Sequence, residues 1–308
     1  MVRLWTLEAM AHGAELVSYF RWRQAPFGQE QLHAGLLRPD NEPAPALAEA
    51  AQAAGEIAGI GPLGPPPKSV ALIFAYDADW VTKIQPQGAG LSALWAAFDC
   101  YSALRRMGLD IDILPPDAPL DGYALCVVPC LPIVPAGLIE RLSRFAGQVV
   151  IGPRSGSRTV DFAIPDGLPP GKLFPAKVAR VESLRPGLEH GGQGWTIAHW
   201  LEHLDTHAEP DLVADDGTVA SWRQGNVRYL AGWPTLELAS AVLTIAAGEA
   251  GLETHVLPEG LRLRRAGSRL FAFNYASKAS ALPSSVKGAV VLGSRSVGPA
   301  DLAIIDLE

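Results

Sequence analysis

Apolar positions in the first sixty residues follow a helix, strand, helix pattern. Residues 1–12 carry leucine and alanine on one helical face, and Gly13 is positioned to end that helix. The apolar run "ELVSYF" (15–20) lacks alternation, which is typical of a strand covered on both faces, and "PALAEAAQAAGEIAGI" (45–60) predicts a second helix. Because a lone strand of this kind needs neighbours on both edges, we expect it to be one slice of a larger parallel sheet or barrel.

The remaining chain predicts two further domains after a proline-rich linker, "GPLGPPPK" (61–68). Buried strands such as "SVALIFAY" and "YALCVVP" alternate with helices such as "LSALWAAFDCYSALRRMG", which predicts a doubly wound parallel sheet over 69–250. The stretch 155–235 is less regular, and "WTIAHWLEHL" within it fits either a strand or a helix. Residues 251–308 alternate at period two between turns, which predicts a small antiparallel β domain.

Composition narrows the class of protein. Hydrophobic residues make up 48% of the 308 residues, and no apolar run has the length of a bilayer span. The net charge is −7 without a basic stripe, which argues against nucleic acid or an anionic membrane as partner. Three cysteines cannot all pair and form no CxxC, and the first residues have no signal-peptide pattern, so we expect a cytoplasmic protein. We expect no cofactor.

A cluster of polar and aromatic residues lies at and after the carboxyl end of the first predicted strand. Its members are Phe20, Arg21, Trp22, Arg23, Glu30 and His33. That end of a strand is where α/β barrels build their active sites. A carboxylate and an imidazole bind vicinal hydroxyls, and an aromatic ring stacks on a sugar. In the alternative interpretation, the arginines pair with acids at a domain contact and the histidine caps a loop.

Three other motifs have weaker interpretations. If "HWLEHLDTH" is helical, His199, His203 and His207 form one stripe that could bind zinc, although a solvated face is the default. Cys130 follows a strand, as a nucleophile would, but prolines flank it where a nucleophile elbow needs glycine. "GPRSGSRT" (152–159) has the composition of a phosphate loop without its spacing, so a simple turn is expected.

The first forty residues, "MVRLWTLEAMAHGAELVSYFRWRQAPFGQEQLHAGLLRPD", closely resemble bacterial β-galactosidases of glycoside hydrolase family forty-two. The stretches "LDGYALCVVPCLP", "GPRSGSRTVDF", "ARVESLRPG" and "PEGLRLRRAGSRLFAFNYA" resemble the same family in order. The resemblance implies the last helix, strand and helix of a (β/α)8 barrel at 1–60 and a trimerisation domain at 69–250. This second domain would be similar to flavodoxin-like and class I glutamine amidotransferase folds, and a β domain would follow it.

The same resemblance implies a galactoside substrate, with Phe20, Glu30 and His33 as galactose contacts. The family retains anomeric configuration and uses an acid/base glutamate and a nucleophile glutamate, on the fourth and seventh barrel strands. We expect both upstream of Met1, because Glu8 and Glu15 belong to the first helix and its end. No residue of this chain is assigned as a catalyst, and no metal ligand is assigned.

Three hypotheses follow from the sequence. In the first, the chain is the carboxy-terminal part of a β-galactosidase and is inactive without the rest of its barrel. In the second, it is a non-catalytic module that forms homotrimers. In the third, it is an amidotransferase-like hydrolase that uses Cys130. We expect a truncated chain, because a lone barrel slice exposes strand edges and apolar faces.

Overall fold

The computed structural model describes residues 1–307. The helices are α1 (Val2–Ala11), α2 (Pro45–Ile60), α3 (Tyr76–Ile84), α4 (Ala93–Arg106), α5 (Ala136–Arg144) and α6 (Leu236–Glu249). The strands are β1 (Val70–Ile73), β2 (Ile111–Leu114), β3 (Leu125–Val128), β4 (Gln148–Ile151), β5 (Ala176–Ser183), β6 (His190–Gly192), β7 (Trp195–Ile197), β8 (Trp200–Thr206), β9 (Glu209–Val213), β10 (Val219–Gln224), β11 (Val227–Leu230), β12 (Leu261–Ala266), β13 (Arg269–Asn274), β14 (Ser280–Ala281), β15 (Ala289–Leu292), β16 (Ser296–Val297) and β17 (Asp301–Asp306).

The chain divides into two compact units. The middle unit is Lys68–His255, and the terminal unit combines Met1–Pro67 with the residues from Val256 onward. The predicted boundaries of 1–60, 61–68, 69–250 and 251–308 remain predictions, and position 308 lies outside the described residues. No helix within residues 1–307 combines the length and the apolar character needed to cross a bilayer.

Among the described residues, seven strands form one sheet in the middle unit, in the order β2-β1-β3-β4-β11-β10-β9. Neighbouring strands from β2 to β11 are parallel, and β10 and β9 extend the sheet antiparallel. Every residue of β1 and β3 is buried, as expected for strands that are apolar on both faces. The predicted parallel strands are confirmed, and the last two strands make the sheet mixed.

Helices cover both faces of this sheet. Leu72 of β1 belongs to one buried cluster with Leu104 of α4 and Val242 of α6. Its neighbour Ile73 belongs to the cluster on the other face, together with Leu138 of α5. Alternation along the strand therefore sends successive side chains into two separate cores, which is why the strand is apolar at every position.

The less regular stretch of the middle unit forms strands. β5 pairs with β8, and β6 pairs with β7, each antiparallel. Helix α3 was not expected, because the sequence interpretation extended the first strand of this unit through Tyr76, whereas the strand ends at Ile73 and the helix begins at Tyr76.

The terminal unit is built on an antiparallel sheet. Four strands of the described chain form it, in the order β12-β13-β17-β15. One face packs on α1, since Leu4 and Leu7 share a buried cluster with Phe271, Phe273 and Ile304. The predicted period-two strands are confirmed, and the first helix of the chain completes their core.

The strand predicted at 15–20 is wrong for this chain. These residues form no strand, and Leu16 is 81% exposed. A β-strand is defined by the hydrogen bonds of its neighbours, and no described segment pairs with this one. Short pairings begin only afterwards, as isolated bridges from Leu37 to Arg23 and to Pro43.

Candidate functional site

A closed loop holds the candidate residues after α1. The backbone N–H groups of Leu36 and Leu37 donate to the carbonyls of Arg21 and Trp22 at 2.9 and 2.7 Å. Gly35 is required at this closure, because a Cβ there would lie 2.6 Å from the backbone nitrogen of Gln24. Backbone contacts therefore close the base of the loop, and this fixed backbone positions the side chains that the loop carries.

The structure brings Phe20, Glu30 and His33 together. The rings of Phe20 and His33 meet edge to face, with centroids 6.2 Å apart and planes at 73°. Arg21 links Glu30 to this pair of rings. Its Nη1 donates to Oε2 of Glu30 at 2.9 Å, and its guanidinium lies 5.2 Å from the centre of the Phe20 ring. A short 3₁₀ turn, Gln29–Leu32, fixes the spacing, and the backbone N–H of His33 donates to the carbonyl of Glu30 at 3.0 Å.

The cluster offers a surface for a polyol. Phe20 is 70% exposed, so an apolar ring face is available beside a carboxylate and an imidazole. A sugar presents the matching combination of C–H face and hydroxyl groups. The cluster contains one carboxylate, and retaining glycoside hydrolysis requires a pair about 5 Å apart. Its geometry therefore supports binding and not the cleavage step.

Comparison with known protein families identifies the family of this chain. The model described as "Beta-galactosidase trimerisation domain" matches residues 68–253, which is more than half of the chain. The model described as "Beta-galactosidase" matches residues 1–60 and includes the whole cluster. The chain belongs to the β-galactosidases of glycoside hydrolase family forty-two. Two successive parts of the family therefore account for residues 1–253 almost without a gap.

Relatives of the family cover nearly the full chain. A β-galactosidase of Thermus thermophilus is 51% identical over 99% of this chain and 48% of its own length. The crystal structure of a β-galactosidase from the psychrophilic Marinomonas ef1 has a TM-score of 0.94 at 40% identity, over 99% of this chain and 49% of that one. A β-galactosidase structure from Bacillus circulans sp. alkalophilus, at 19% identity and a TM-score of 0.85, shares the fold. The chain thus spans about half the length of these family members.

The histidine stripe expected from a helical "HWLEHLDTH" is wrong. This stretch contains strand β8, and only His203 of the three histidines lies in it. Residues four apart in a strand are about 13 Å from each other, too far to share one metal ion. His203 contacts Glu182 on the paired strand, with Nε2 2.7 Å from Oε1. Across residues 1–307 no group of three or more His, Cys, Asp or Glu side chains is arranged to hold a metal.

The surroundings of Cys130 argue against its use as a nucleophile. Cys130 is 6% exposed, and burial raises the pKa of its thiol to about 12. A nucleophilic cysteine reacts as the thiolate, which this environment disfavours. The other cysteines, Cys100 and Cys126, are also buried and free. Cys130 is therefore placed as a core side chain.

The glycine-rich stretch 152–159 serves packing. A Cβ at Gly152 would lie 1.8 Å from the carbonyl oxygen of Pro129, so only glycine fits. Arg154 follows and is 2% exposed, with Nη2 donating to the carbonyl of Gln85 at 2.9 Å. Its guanidinium also lies 5.5 Å from the centre of the Trp200 ring. Arg154 therefore makes contacts inside the folded unit, which agrees with a structural turn at 152–159.

The sequence interpretation missed a buried carboxylate in the middle unit. Glu202 accepts hydrogen bonds from Trp200 Nε1 at 3.0 Å, Tyr229 Oη at 2.6 Å and the backbone N–H of Arg154 at 2.9 Å. Burial raises the pKa of Glu202, and these three donors oppose that rise. An isolated glutamate among histidines gives no sequence signal for such a network, because two of its partners are distant in the chain.

Proposed function

We propose that this chain is the carboxy-terminal part of a retaining β-galactosidase that releases terminal non-reducing β-D-galactose. The observation that carries the proposal is the order of the family matches, with the model described as "Beta-galactosidase" on residues 1–60 and the trimerisation model on 68–253. Two curated relatives that are 51% identical to this chain are named β-galactosidases. On this proposal the cluster at Phe20 forms part of the galactose site.

We assign substrate contacts to Phe20, Glu30 and His33. The exposed ring of Phe20 would stack on the apolar face of galactose, while the Glu30 carboxylate and the His33 imidazole would bind hydroxyl groups. The contact of Arg21 with Glu30 supports this assignment, because it holds the carboxylate in one orientation at 2.9 Å. A carboxylate has several acceptor positions, so pairing with arginine leaves others free to accept from sugar hydroxyls.

The acid/base and nucleophile glutamates are proposed to lie in barrel strands outside this chain. The mechanism needs one carboxyl group to protonate the leaving oxygen and a second to form the glycosyl-enzyme. Glu30, the carboxylate of the cluster, is committed to Arg21. The chain by itself is therefore proposed to bind poorly and to turn over no galactoside.

Residues 1–60 are proposed to be the end of a (β/α)8 barrel, in which residues 15–20, which form no strand here, would pair only beside the neighbouring barrel strands. The unpaired segment at 15–20 and its exposed apolar side chains support this, because neighbouring barrel strands would cover them. The order β2-β1-β3-β4-β11 matches flavodoxin-like doubly wound sheets, which supports a flavodoxin-like or class I amidotransferase-like assignment for 69–250. Residues 251–308 are proposed to be the family's β domain.

An activity assay tests the proposal. An aryl β-galactoside is offered to this chain and to a chimera in which it replaces the matching half of the Thermus thermophilus β-galactosidase. We expect activity in the chimera and none in the chain alone. Turnover by the chain alone would overturn the assignment of the catalysts, and a folded but inactive chimera would count against the galactosidase function. Coding DNA upstream of Met1 that specifies barrel strands with two strand-end glutamates would support the same conclusion.

Variants of the chimera test the substrate contacts. Phe20→Ala, Glu30→Gln and His33→Ala should each lower kcat/KM by about 10- to 100-fold, the range for loss of a hydrogen bond involving a charged group or of a stacking contact. Glu42→Gln is the matched control, since Glu42 is an exposed carboxylate on the same segment. Equal effects at Glu42 and Glu30 would refute the assignment.

A second candidate function is a non-catalytic homotrimer formed through residues 69–250. The match to the trimerisation model and the self-contained core of the middle unit favour it. Sedimentation of the chain alone tests this assembly, and a protein that stays monomeric at all concentrations would refute it.

We place the protein in the cytoplasm, because its three cysteines are buried and free.

A further inference from the structure

Large apolar side chains lie exposed on two neighbouring helices of the middle unit. We define the α3/α4 aromatic patch as Tyr76, Trp80, Ile84, Leu94, Trp95 and Phe98. These side chains are between 46% and 70% exposed. Burial of one aromatic side chain removes about 150–250 Å² of surface from solvent, so the patch presents several hundred Å² of apolar surface. Patches of this size mark interaction sites.

The patch is additional to what the fold needs. Tyr76, Trp80 and Ile84 recur every four residues and share one face of α3, while Ala78 and Val81 of the same helix are buried in the unit. Helix α4 likewise buries Ala96 and Leu104 on one side, while Leu94, Trp95 and Phe98 stay exposed. Both helices are therefore apolar on two sides, and the second side has no partner within the unit.

The patch is also held in a fixed shape. The rings of Trp95 and Phe98 pack edge to face at 5.5 Å. Ser92, which caps α4, donates to Oδ1 of Asp79 on α3 at 3.0 Å, so the two helices are joined where they meet. Rigid aromatic surfaces lose little conformational entropy on binding, which favours them at interfaces.

We propose that the α3/α4 aromatic patch is the surface on which a second copy of this chain docks. The inference rests on the proposed homotrimer and names the surface that makes it. The patch lies within residues 68–253, the part that matches the trimerisation model. Tryptophan and tyrosine dominate the energetic centres of interfaces. In a cyclic trimer each patch meets a different surface of the next copy, so one patch per chain is sufficient.

Glutamate substitutions test the surface in the full chain. Trp80→Glu and Trp95→Glu place a charge in the patch, and Val160→Glu is the matched control, because Val160 is 76% exposed in the same unit outside the patch. Sedimentation equilibrium over a range of concentrations should give the wild type and the control three times the protomer mass of 32.6 kDa. Each tryptophan variant should associate at least about 30-fold more weakly, the loss expected for a central interface tryptophan.

The outcomes separate the two proposals. A monomeric wild type overturns the homotrimer and this inference with it. Trimeric tryptophan variants, or an equally weakened control, overturn the patch and leave the homotrimer standing. Oxidative labelling of the wild type decides the case if a variant fails to fold. Trp80 and Trp95 should then be protected at concentrations where the trimer forms, and undiminished labelling there overturns the patch.

Discussion

Replacement of Glu202 by leucine should strongly destabilise the middle unit. The carboxylate is 4% exposed and accepts hydrogen bonds from Trp200, Tyr229 and the backbone of Arg154. Leucine fills a similar volume and accepts none of them. Each orphaned buried donor costs about 1–3 kcal/mol, and relief of the carboxylate's desolvation offsets part of the sum. We therefore expect a loss of about 3 kcal/mol in the free energy of unfolding.

Glutamine at the same position should behave differently. Its carbonyl oxygen replaces Oε1, which accepts from Trp200 and Arg154, and its amide group can donate to the Tyr229 hydroxyl. We expect Glu202→Gln to lose about 1 kcal/mol at acidic pH. Glu182→Gln is the surface control, since its carboxylate is 30% exposed beside His203 and should contribute less than about 1 kcal/mol.

The pH dependence follows from the raised pKa of Glu202. Burial raises this pKa above its ordinary value of 4.5. The folded state therefore binds the proton more tightly than the unfolded state, so wild-type stability falls as pH rises from 4.5 through the folded pKa. Glutamine does not titrate, so the stability of Glu202→Gln relative to wild type should rise over the same window.

Urea unfolding followed by circular dichroism measures these free energies. Hydrogen exchange at the amides of β8 and β11 assigns the loss to the middle unit, because these strands carry the network. A leucine variant within about 1 kcal/mol of wild type would refute the claim that Glu202 satisfies three buried donors. A glutamine variant whose difference from wild type stays constant with pH would refute the raised pKa.

Three further predictions concern other parts of the chain. Hydrogen bonding from His190 lowers the pKa of Asp216 to about 2, so the thermal stability lost in Asp216→Asn should be full above pH 3.8 and should disappear as the pH falls from 3.8 through the folded pKa of about 2; a pH-independent difference in melting temperature would contradict this. The Cys130 thiol should react with a disulfide reagent only in denaturant, and rapid native labelling of that residue would show that burial does not protect it. Phe271→Ala should cost about 3–5 kcal/mol in urea unfolding, because the ring is 0% exposed, whereas Val256→Ala, at a site 95% exposed, should change little.

Elements whose signals are local could be predicted from the sequence. β1 and β3 were found because continuous apolar runs are typical of strands buried on both faces. Helix α4 was found from its apolar period, and Gly108, with a φ of +80°, follows its end. These features depend on residues within a few positions of one another, so the pattern carries them.

Features that depend on distant partners could not be predicted in the same way. The run at 15–20 has the composition of a strand, yet a ladder requires a second segment, and the described chain supplies none. The periodicity of "HWLEHLDTH" fits either a helix or a strand, and pairing with β5 decides the question. Glu202 was missed because Arg154 and Tyr229 lie 48 and 27 residues away. Phe20, Glu30 and His33 were singled out by family resemblance, and the structure brings them into one cluster.

The exposed apolar side chains of the terminal unit connect its stability with the proposed activity. Trp5, Leu16, Trp22, Phe27 and Leu32 are between 58% and 89% exposed. Full burial of a large apolar side chain contributes about 1.5–3 kcal/mol, so a partner that covered all five would gain a substantial binding free energy. On the proposed function that partner is the rest of the barrel, which also carries both catalytic carboxyl groups. The association that buries these side chains would then also place the missing acids beside the cluster at Phe20, so folding of the barrel and completion of the active site would be one event.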